Sequence, residues 1–88
     1  MGFIILWSEK AQSQLEALPF TIKKAIFTKI SGLASDPYSN SVKKLRGTDL
    51  FRLRLGDYRV IFEIEDKELR ILILFLGHRK NVYKRFGV

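Results

Sequence analysis

The sequence predicts an α+β domain in which two amino-terminal helices pack against a sheet of four strands. Three observations lead to this fold class. Two early segments repeat apolar residues at helical spacing, and two later runs around Gly56-Asp57 alternate apolar and polar residues. A last run, residues 69–76, is almost wholly apolar, which is typical of a strand covered on both faces.

Length and composition exclude several function classes. The 88 residues are 47% hydrophobic and 28% charged, which fits one folded domain, expected over residues 1–88. The absence of cysteine excludes disulfides, thiolate catalysis and cysteine-bearing zinc sites, and a single histidine makes a histidine-rich metal site unexpected. We therefore predict no cofactor. The apolar start, Phe3 to Trp7, is too short for a signal peptide or a membrane span, so a soluble, cytoplasmic protein is expected.

The first third of the chain predicts a strand and a helical hairpin. Phe3 to Trp7 is rich in β-branched and aromatic residues, and Ser8 is placed to cap a helix that ends at Pro19. The apolar stripe of this helix consists of Ala11, Leu15 and Leu18. A second helix ends before Asp36-Pro37. Its apolar residues are Ile22, Ala25, Ile26, Ile30 and Leu33. Both helices have one face to bury, and a sheet is the expected partner.

The next segment predicts a loop over residues 39–48 and then a tight β-hairpin. The alternating runs Leu50–Leu55 and Tyr58–Ile64 flank Gly56-Asp57, which suits a two-residue type II′ turn. In this register Arg54 lies opposite Arg59. Because side chains alternate along a strand, one face is ready to meet the helices and consists of Phe51, Leu53, Leu55, Tyr58, Val60, Phe62 and Ile64.

The second strand pairing predicts an exposed apolar strip. Glu65 is expected opposite Glu68, which places Arg59 opposite Leu74. The strip beside the arginines then consists of Ile61, Leu72 and Leu74. Because no predicted helix is long enough to cover it, we expect another molecule to do so.

Positive charge is concentrated in the second half of the chain. The net charge is +7, and residues 43–88 carry twelve basic and six acidic residues. On charge alone, a solvated basic face and a site for a polyanion or an acidic protein both remain open. Arg54 and Arg59 are like charges directly opposite each other, an arrangement that costs stability. The basic tail leaves the sheet near them, and it carries His78, Arg79, Lys80 and Tyr83. This convergence favours a binding site.

Three segments carry a resemblance to a known family. The sequences KLRG at residues 44–47, RLRLGDYRV at 52–60 and GHRKNVY at 77–83 resemble the RelE/ParE superfamily of bacterial type II toxins. With the helical hairpin, the similarity spans nearly the whole chain. It implies a four-stranded, mainly antiparallel sheet against two amino-terminal helices, followed by a short basic tail or helix. For the RelE-like branch it also implies an mRNA interferase, an endoribonuclease commonly acting on the ribosome and held by a cognate antitoxin in a hetero-oligomer.

The resemblance also implies the site residues. The family's active-site basic residues and carboxyl-terminal tyrosine are matched by Arg52, Arg54, Arg59, Arg79 and Tyr83. Lys44 and Arg46 resemble auxiliary RNA contacts. The full predicted RNA-binding set is Lys43, Lys44, Arg46, Arg52, Lys80 and Lys84. Some family members have lysines at the positions of Arg52 and Arg54, so a lysine base used elsewhere does not transfer to this chain.

The chemistry expected of such a site is attack by the RNA 2′-hydroxyl on the adjacent phosphate. Arg54 and Arg59 suit the stabilisation of the phosphorane, because planar guanidinium forks match phosphate oxygens. Arg79 is expected to clamp the phosphate or donate toward the leaving oxygen. His78 and Tyr83 are both candidates for the general base, with Tyr83 favoured as essential.

Two other functions are compatible with the sequence. A ParE-like inhibitor of DNA gyrase would bind protein without chemistry of its own. A non-catalytic nucleic-acid-binding module would bind RNA with steep salt dependence and release no cleavage products. The clustered arginines and the late tyrosine favour the endoribonuclease, since a gyrase inhibitor needs no basic pocket of phosphate size.

Overall fold

The computed structural model describes residues 2–87 and confirms an α+β architecture. The strands are β1 (Ile4–Trp7), β2 (Val42–Lys44), β3 (Leu50–Leu55), β4 (Tyr58–Glu65) and β5 (Arg70–His78). The α-helices are α1 (Glu9–Glu16), α2 (Phe20–Ser31), which continues into a 3-10 turn over Gly32–Ala34, and α3 (Arg79–Phe86). Within residues 2–87, no helix has the length and apolar character needed to cross a membrane.

The sheet has five strands in the described chain, so the prediction of four was wrong. Their order is β1-β5-β4-β3-β2, with β1 parallel to β5 and the other pairs antiparallel. The missed strand, β2, lies in the segment predicted as a loop and places Lys43 opposite Arg52. With only three residues, two of them lysines, it has no apolar alternation, and backbone hydrogen bonding to β3 is what defines it.

The main core lies between the sheet and the helices α1 and α2. The predicted register of the β3–β4 hairpin is confirmed, with Leu55 opposite Tyr58 and Arg54 opposite Arg59. Of the predicted core-facing side chains, Leu53, Val60 and Phe62 are buried, and Phe51, Leu55, Tyr58 and Ile64 are half-buried against the same core. The most central residues from the other elements include Ile26, Ile30, Ile71 and Ile73. Each such burial stabilises the fold by about 1.5–3 kcal/mol.

The predicted register of β4 with β5 was wrong by two residues next to the turn and by three residues beyond an irregularity in the ladder. Glu65 lies opposite Arg70, and Arg59 lies opposite Gly77 rather than Leu74. The physical reason is a longer turn, in which Leu69 takes a left-handed φ of 52° that is unusual for a bulky residue. Leu74 is then an extra residue on β5, because the pairing changes between Phe62 and Ile61.

Helix α1 supplies hydrogen bonds to β5 beyond the end of β1. The Ser8 hydroxyl caps α1 by accepting from the Ala11 amide at 3.0 Å, and it donates to the carbonyl of Leu74 at 3.0 Å. Farther along α1, Gln14 Oε1 accepts from the Leu76 amide at 2.8 Å. Backbone groups near the irregularity are thereby satisfied.

Helix α3 covers part of the outer face of the sheet, meaning the face away from α1 and α2. Ile61 is fully buried in a second, smaller core with Leu45 and Val82, so the expectation that it lies uncovered was wrong. Half-buried side chains of Leu50, Phe75 and Phe86 complete this core. The tail reaches Ile61 because α3 follows β5 without a loop and folds back over the sheet. Leu72 and Leu74 remain half-buried.

Candidate functional site

Arg59 is the centre of the candidate site. It lies on an inner strand, is only 9% exposed, and donates from Nη1 to the carbonyl oxygens of Gly56 at 2.6 Å and Tyr58 at 3.0 Å. Burial is the largest reason why the pKa of Arg59 is lowered. Neighbouring guanidinium charges lower it further, and they belong to Arg54, Arg52 and Arg79. These four residues form what we call the arginine cluster.

Arg52 and Arg54 bring two charges to the cluster from β3. Arg54 lies directly opposite Arg59 and is exposed. Arg52 is half-buried, and its Nε has no hydrogen-bond partner although it is shielded from solvent. Burial first, and then the charge of Arg54, lower the pKa of Arg52. A buried donor without a partner and like charges side by side both cost stability, which is the condition expected of a site built to receive an anion.

Arg79 joins the cluster from the first position of α3. Its backbone amide donates to the carbonyl of Asp57 at 2.7 Å, which fixes the start of α3 beside the β3–β4 turn. Its side-chain Nε lies 3.9 Å from Asp57 Oδ1, and both side chains are more than half exposed. The charge of Asp57 opposes the other neighbours by raising the pKa of Arg59. The convergence of the tail with the hairpin turn is as the sequence predicts, although the strand register behind it differs.

His78 caps the helix that carries Arg79. Its Nδ1 accepts from the Lys80 amide at 3.3 Å, and its ring stands edge-on to Tyr58 with centroids 5.9 Å apart. An Nδ1 that accepts carries no hydrogen, so the hydrogen of the neutral ring is assigned to Nε2. In this arrangement His78 offers a donor, not a base, to a bound substrate.

Tyr83 follows Arg79 by four residues on α3 and is 64% exposed. Side chains separated by four residues share one face of a helix, so Tyr83 and Arg79 project on the same side. Helix α3 is anchored by Val82, which is fully buried, and closes with Gly87 in a left-handed cap whose amide donates to the Tyr83 carbonyl. Lys80 and Lys84 are exposed on the same helix.

The three basic residues around β2 are not brought together. Lys43 lies opposite Arg52 and therefore shares the outer face with the arginine cluster. Lys44 lies opposite Phe51 and faces the other way, and it lines a groove at the sheet edge together with acidic residues such as Asp66. Arg46 is exposed in the loop that follows β2.

The arrangement is suited to binding an anion of phosphate size. Guanidinium groups on β3, β4 and α3 converge, and in the described chain a single salt bridge, the exposed Arg79–Asp57 contact, compensates them. A phosphate between the forks relieves the mutual repulsion and gains charge-assisted hydrogen bonds. Sequence reasoning treated Asp57 only as a turn residue. Its proximity to the tail was the clue that could have placed a carboxylate in the site.

Comparison with known proteins gives a consistent picture. Residues 5–83 match the family described as the ParE toxin of type II toxin–antitoxin systems, parDE. The toxin RelG of Mycobacterium tuberculosis (strain ATCC 25618 / H37Rv) is 29% identical over 89 residues, covering 97% of this chain and 100% of that protein.

Two solved complexes contain similar chains. One is the toxin–antitoxin complex RelBE2 of M. tuberculosis, with a TM-score of 0.81 at 27% identity over 90% of this chain and 100% of the other. The second is the archaeal RelE–RelB complex of Pyrococcus horikoshii OT3, with a TM-score of 0.80 at 33% identity over 90% and 97%. The fold, the position of the arginine cluster on it and these similarities support one assignment. The chain belongs to the ParE toxin family of type II toxin–antitoxin systems and is a RelE-like toxin of the RelE/ParE superfamily.

Proposed function

We propose that this toxin is an mRNA interferase, a metal-independent endoribonuclease that cleaves mRNA, with the ribosome as the setting in which it acts. The observation that carries the proposal is the arginine cluster, in which Arg59 is 9% exposed among three like charges. A protein that only binds another protein has no evident need to hold several guanidinium groups against one another.

The proposed reaction is an internal transfer at phosphorus. The 2′-hydroxyl oxygen forms a bond to the adjacent phosphorus as its proton is removed. The bond from phosphorus to the 5′-oxygen breaks, and that oxygen gains a proton, so the products are a cyclic phosphate and a free 5′-hydroxyl. Because the RNA supplies its own nucleophile, the protein has to stabilise charge and move protons.

The roles follow from position in the cluster. Arg54 and Arg59 stabilise the added charge on the phosphorane, since they face each other across the hairpin. Arg79, beside the turn, clamps the phosphate or donates toward the 5′-oxygen. Tyr83 orients the 2′-hydroxyl or, after its own phenolic proton has passed to solvent, accepts the proton of that hydroxyl. His78 is the second candidate, but its Nδ1 is engaged as the cap of α3, which favours Tyr83.

A cognate antitoxin is the proposed protein partner, in a hetero-oligomer like the complexes to which the chain is similar. An antitoxin segment with acidic side chains would neutralise the arginine cluster. Apolar side chains of the same segment would cover the edge of the outer face, where Leu6 is 44% exposed beside the half-buried Leu72.

The test is expression in a translation extract with primer-extension mapping of message ends. We expect new mRNA ends from the wild type and a loss of about 10²–10³-fold in cleavage for Arg59→Ala, because one charge-stabilising donor is removed. Arg70→Ala is the matched control, since Arg70 is an exposed arginine at the far end of β5. Full cleavage by Arg59→Ala would contradict the assignment.

A ParE-like gyrase inhibitor is the second candidate, and the family match itself favours it. The same extract with a gyrase cleavage control distinguishes the two functions. Gyrase-dependent DNA breaks with intact mRNA support the inhibitor, and new mRNA ends without DNA breaks support the endoribonuclease.

A further inference from the structure

A groove of about 840 Å³ runs between α2 and the end of β3, around the sheet edge from the arginine cluster. Its wall on the α2 side includes Phe20, Lys24, Thr28 and Lys29, and its wall on the sheet side includes Arg54 and Leu55. None of these residues takes part in the chemistry proposed above except Arg54, which lies in both places.

The charge of the groove is of one sign. Three of its nine lining residues are basic, and within the described part of the chain none of the nine is acidic. Helix α2 carries no acidic residue in its first turn that would offset them. A basic groove of this kind attracts a polyanion.

Phe20 gives the groove an aromatic surface. It is the first residue of α2 and is 75% exposed, more than any other large hydrophobic residue between positions 2 and 87. The core contacts of α2 come from Ile26 and Ile30, so Phe20 is not needed to hold the helix on the sheet. An exposed ring beside lysines is the combination on which unpaired bases stack in single-stranded RNA sites.

Arg54 makes the groove continuous with the arginine cluster. Strand β2 pairs with β3 as far as Leu53, and the Arg54 amide still donates to the Ser41 carbonyl at 3.0 Å, so the open edge of the sheet begins at Leu55. Because the Arg54 side chain also lines the groove, RNA bound at the cluster can continue past Leu55 and Gly56 onto α2.

We propose that this groove is a second RNA subsite, which binds nucleotides flanking the one that is cut and stacks one base on Phe20. The inference rests on the proposed endoribonuclease function and extends it to how a longer RNA is held. Stacking on Phe20 and contacts from Lys24 and Lys29 to phosphates add affinity only when the RNA is long enough to reach them.

The experiment measures fluorescence anisotropy with 2′-O-methyl RNA, which lacks the free hydroxyl needed for cleavage. One labelled RNA has about three nucleotides and the other about twelve, within the range of single-stranded sites. Phe20→Ala should weaken the binding of the longer RNA about tenfold. Lys24→Ala with Lys29→Ala should reduce the slope of log affinity against log salt by about 1.4. Neither change should alter the affinity for the shorter RNA.

Matched controls keep the comparison within the same fold. Phe27→Ala removes another exposed phenylalanine of α2 that does not line the groove, and Lys67→Ala removes a lysine from the turn between β4 and β5. Circular dichroism checks that each variant is folded. Both controls should bind the longer RNA as the wild type does.

The outcomes separate the subsite from the function on which it rests. One outcome is that Arg59→Ala no longer binds either RNA, while the Phe20 and lysine variants bind the longer RNA with wild-type affinity. In that case the subsite is wrong and the proposed function stands. If the wild type binds neither RNA, the subsite is wrong, and the function is decided separately by mapping message ends in the translation extract. Expression of each variant in growing cells gives a further outcome. If the groove variants no longer arrest growth as the wild type does while their RNA affinity is unchanged, the groove docks a protein and the RNA subsite is overturned.

Discussion

The two ends of strand β4 differ in how charged residues are arranged across the neighbouring strands. At the end beside Gly56-Asp57, the arginine cluster places like charges against each other, and Arg54 lies directly opposite Arg59. At the end beside the β4–β5 turn, which we call the acidic end, residues of opposite charge occupy facing positions on the two strands, with Glu65 opposite Arg70. The Tyr38 hydroxyl also donates to the two carboxylate oxygens of Asp66 at 2.9 and 2.8 Å.

We interpret this contrast as a division between an end that serves the fold and an end that serves the proposed ligand. Opposite charges across strands contribute about 0.2–1 kcal/mol, and like charges directly opposite cost stability. Stability alone gives no reason to keep the arginine cluster, whereas the acidic end is arranged as a stable surface is. Paired substitutions at the two ends test this division.

The largest difference is expected between two tyrosines. Tyr83→Phe should reduce the rate of RNA cleavage about 10³-fold, because it removes the hydroxyl proposed to handle the attacking 2′-hydroxyl. Tyr38→Phe, at the acidic end, should leave the rate unchanged. Single-turnover cleavage of a defined RNA measures both, and equal rates for the two variants would remove Tyr83 from the mechanism.

A stability difference of opposite sign is expected for two arginines. Arg52→Met should raise the free energy of unfolding by about 1 kcal/mol, because it removes a shielded donor without a partner and one of several like charges. Arg70→Met should lower it by about 0.5 kcal/mol, since Glu65 loses its opposite charge. Urea denaturation measures both. A loss of stability in Arg52→Met would mean that the cluster supports the fold.

A smaller effect is expected from the hydrogen bond at the acidic end. Tyr38→Phe should lower the free energy of unfolding by about 0.5 kcal/mol, because the bond to Asp66 is exposed to solvent. Partial burial first, and then the hydrogen bond and charge of Asp66, raise the pKa of Tyr38. The contribution is therefore present below the ordinary tyrosine pKa of about 10 and is lost as pH rises through the raised value. Unfolding curves from pH 8 to about 11 should converge for variant and wild type.

The smallest effect is expected from the Asp57 carboxylate beside the arginine cluster. Asp57→Asn should strengthen RNA binding about twofold, because the exposed Asp57 side chain no longer competes with phosphate for Arg79. Anisotropy at fixed salt measures the change. Weaker binding instead would show that Asp57 positions Arg79 for the RNA.

The sequence was sufficient to predict the structure where a hydrophobic period and a turn type together specify the strand register. Alternation on both sides of Gly56-Asp57 specified the β3–β4 register, and with it the opposition of Arg54 and Arg59. The helices α1 and α2 followed from apolar spacing and from the cap at Ser8. The β3–β4 hairpin brings three of the four clustered arginines together, Arg52, Arg54 and Arg59.

The remaining parts lacked such information. The run from Leu69 to Leu76 is apolar at every position except Arg70, so it carries no period with which to choose a register against β4. The cover over Ile61 depends on α3, whose start was ambiguous between tail and helix. Val82 and Phe86 are four residues apart, and that spacing was the available indication of a helix with one face to bury.

Leu74 is one residue more than strand β5 needs to pair with β4 in a regular ladder. Because it is the extra residue of an otherwise regular ladder, a deletion there would leave Ile73 opposite Phe62 and Gly77 opposite Arg59, with α3 starting at the same place. A deletion elsewhere in β5 would turn every later side chain to the wrong face. Within β5, the loss of a residue is thus tolerated at Leu74, whose carbonyl accepts a hydrogen bond from the Ser8 hydroxyl.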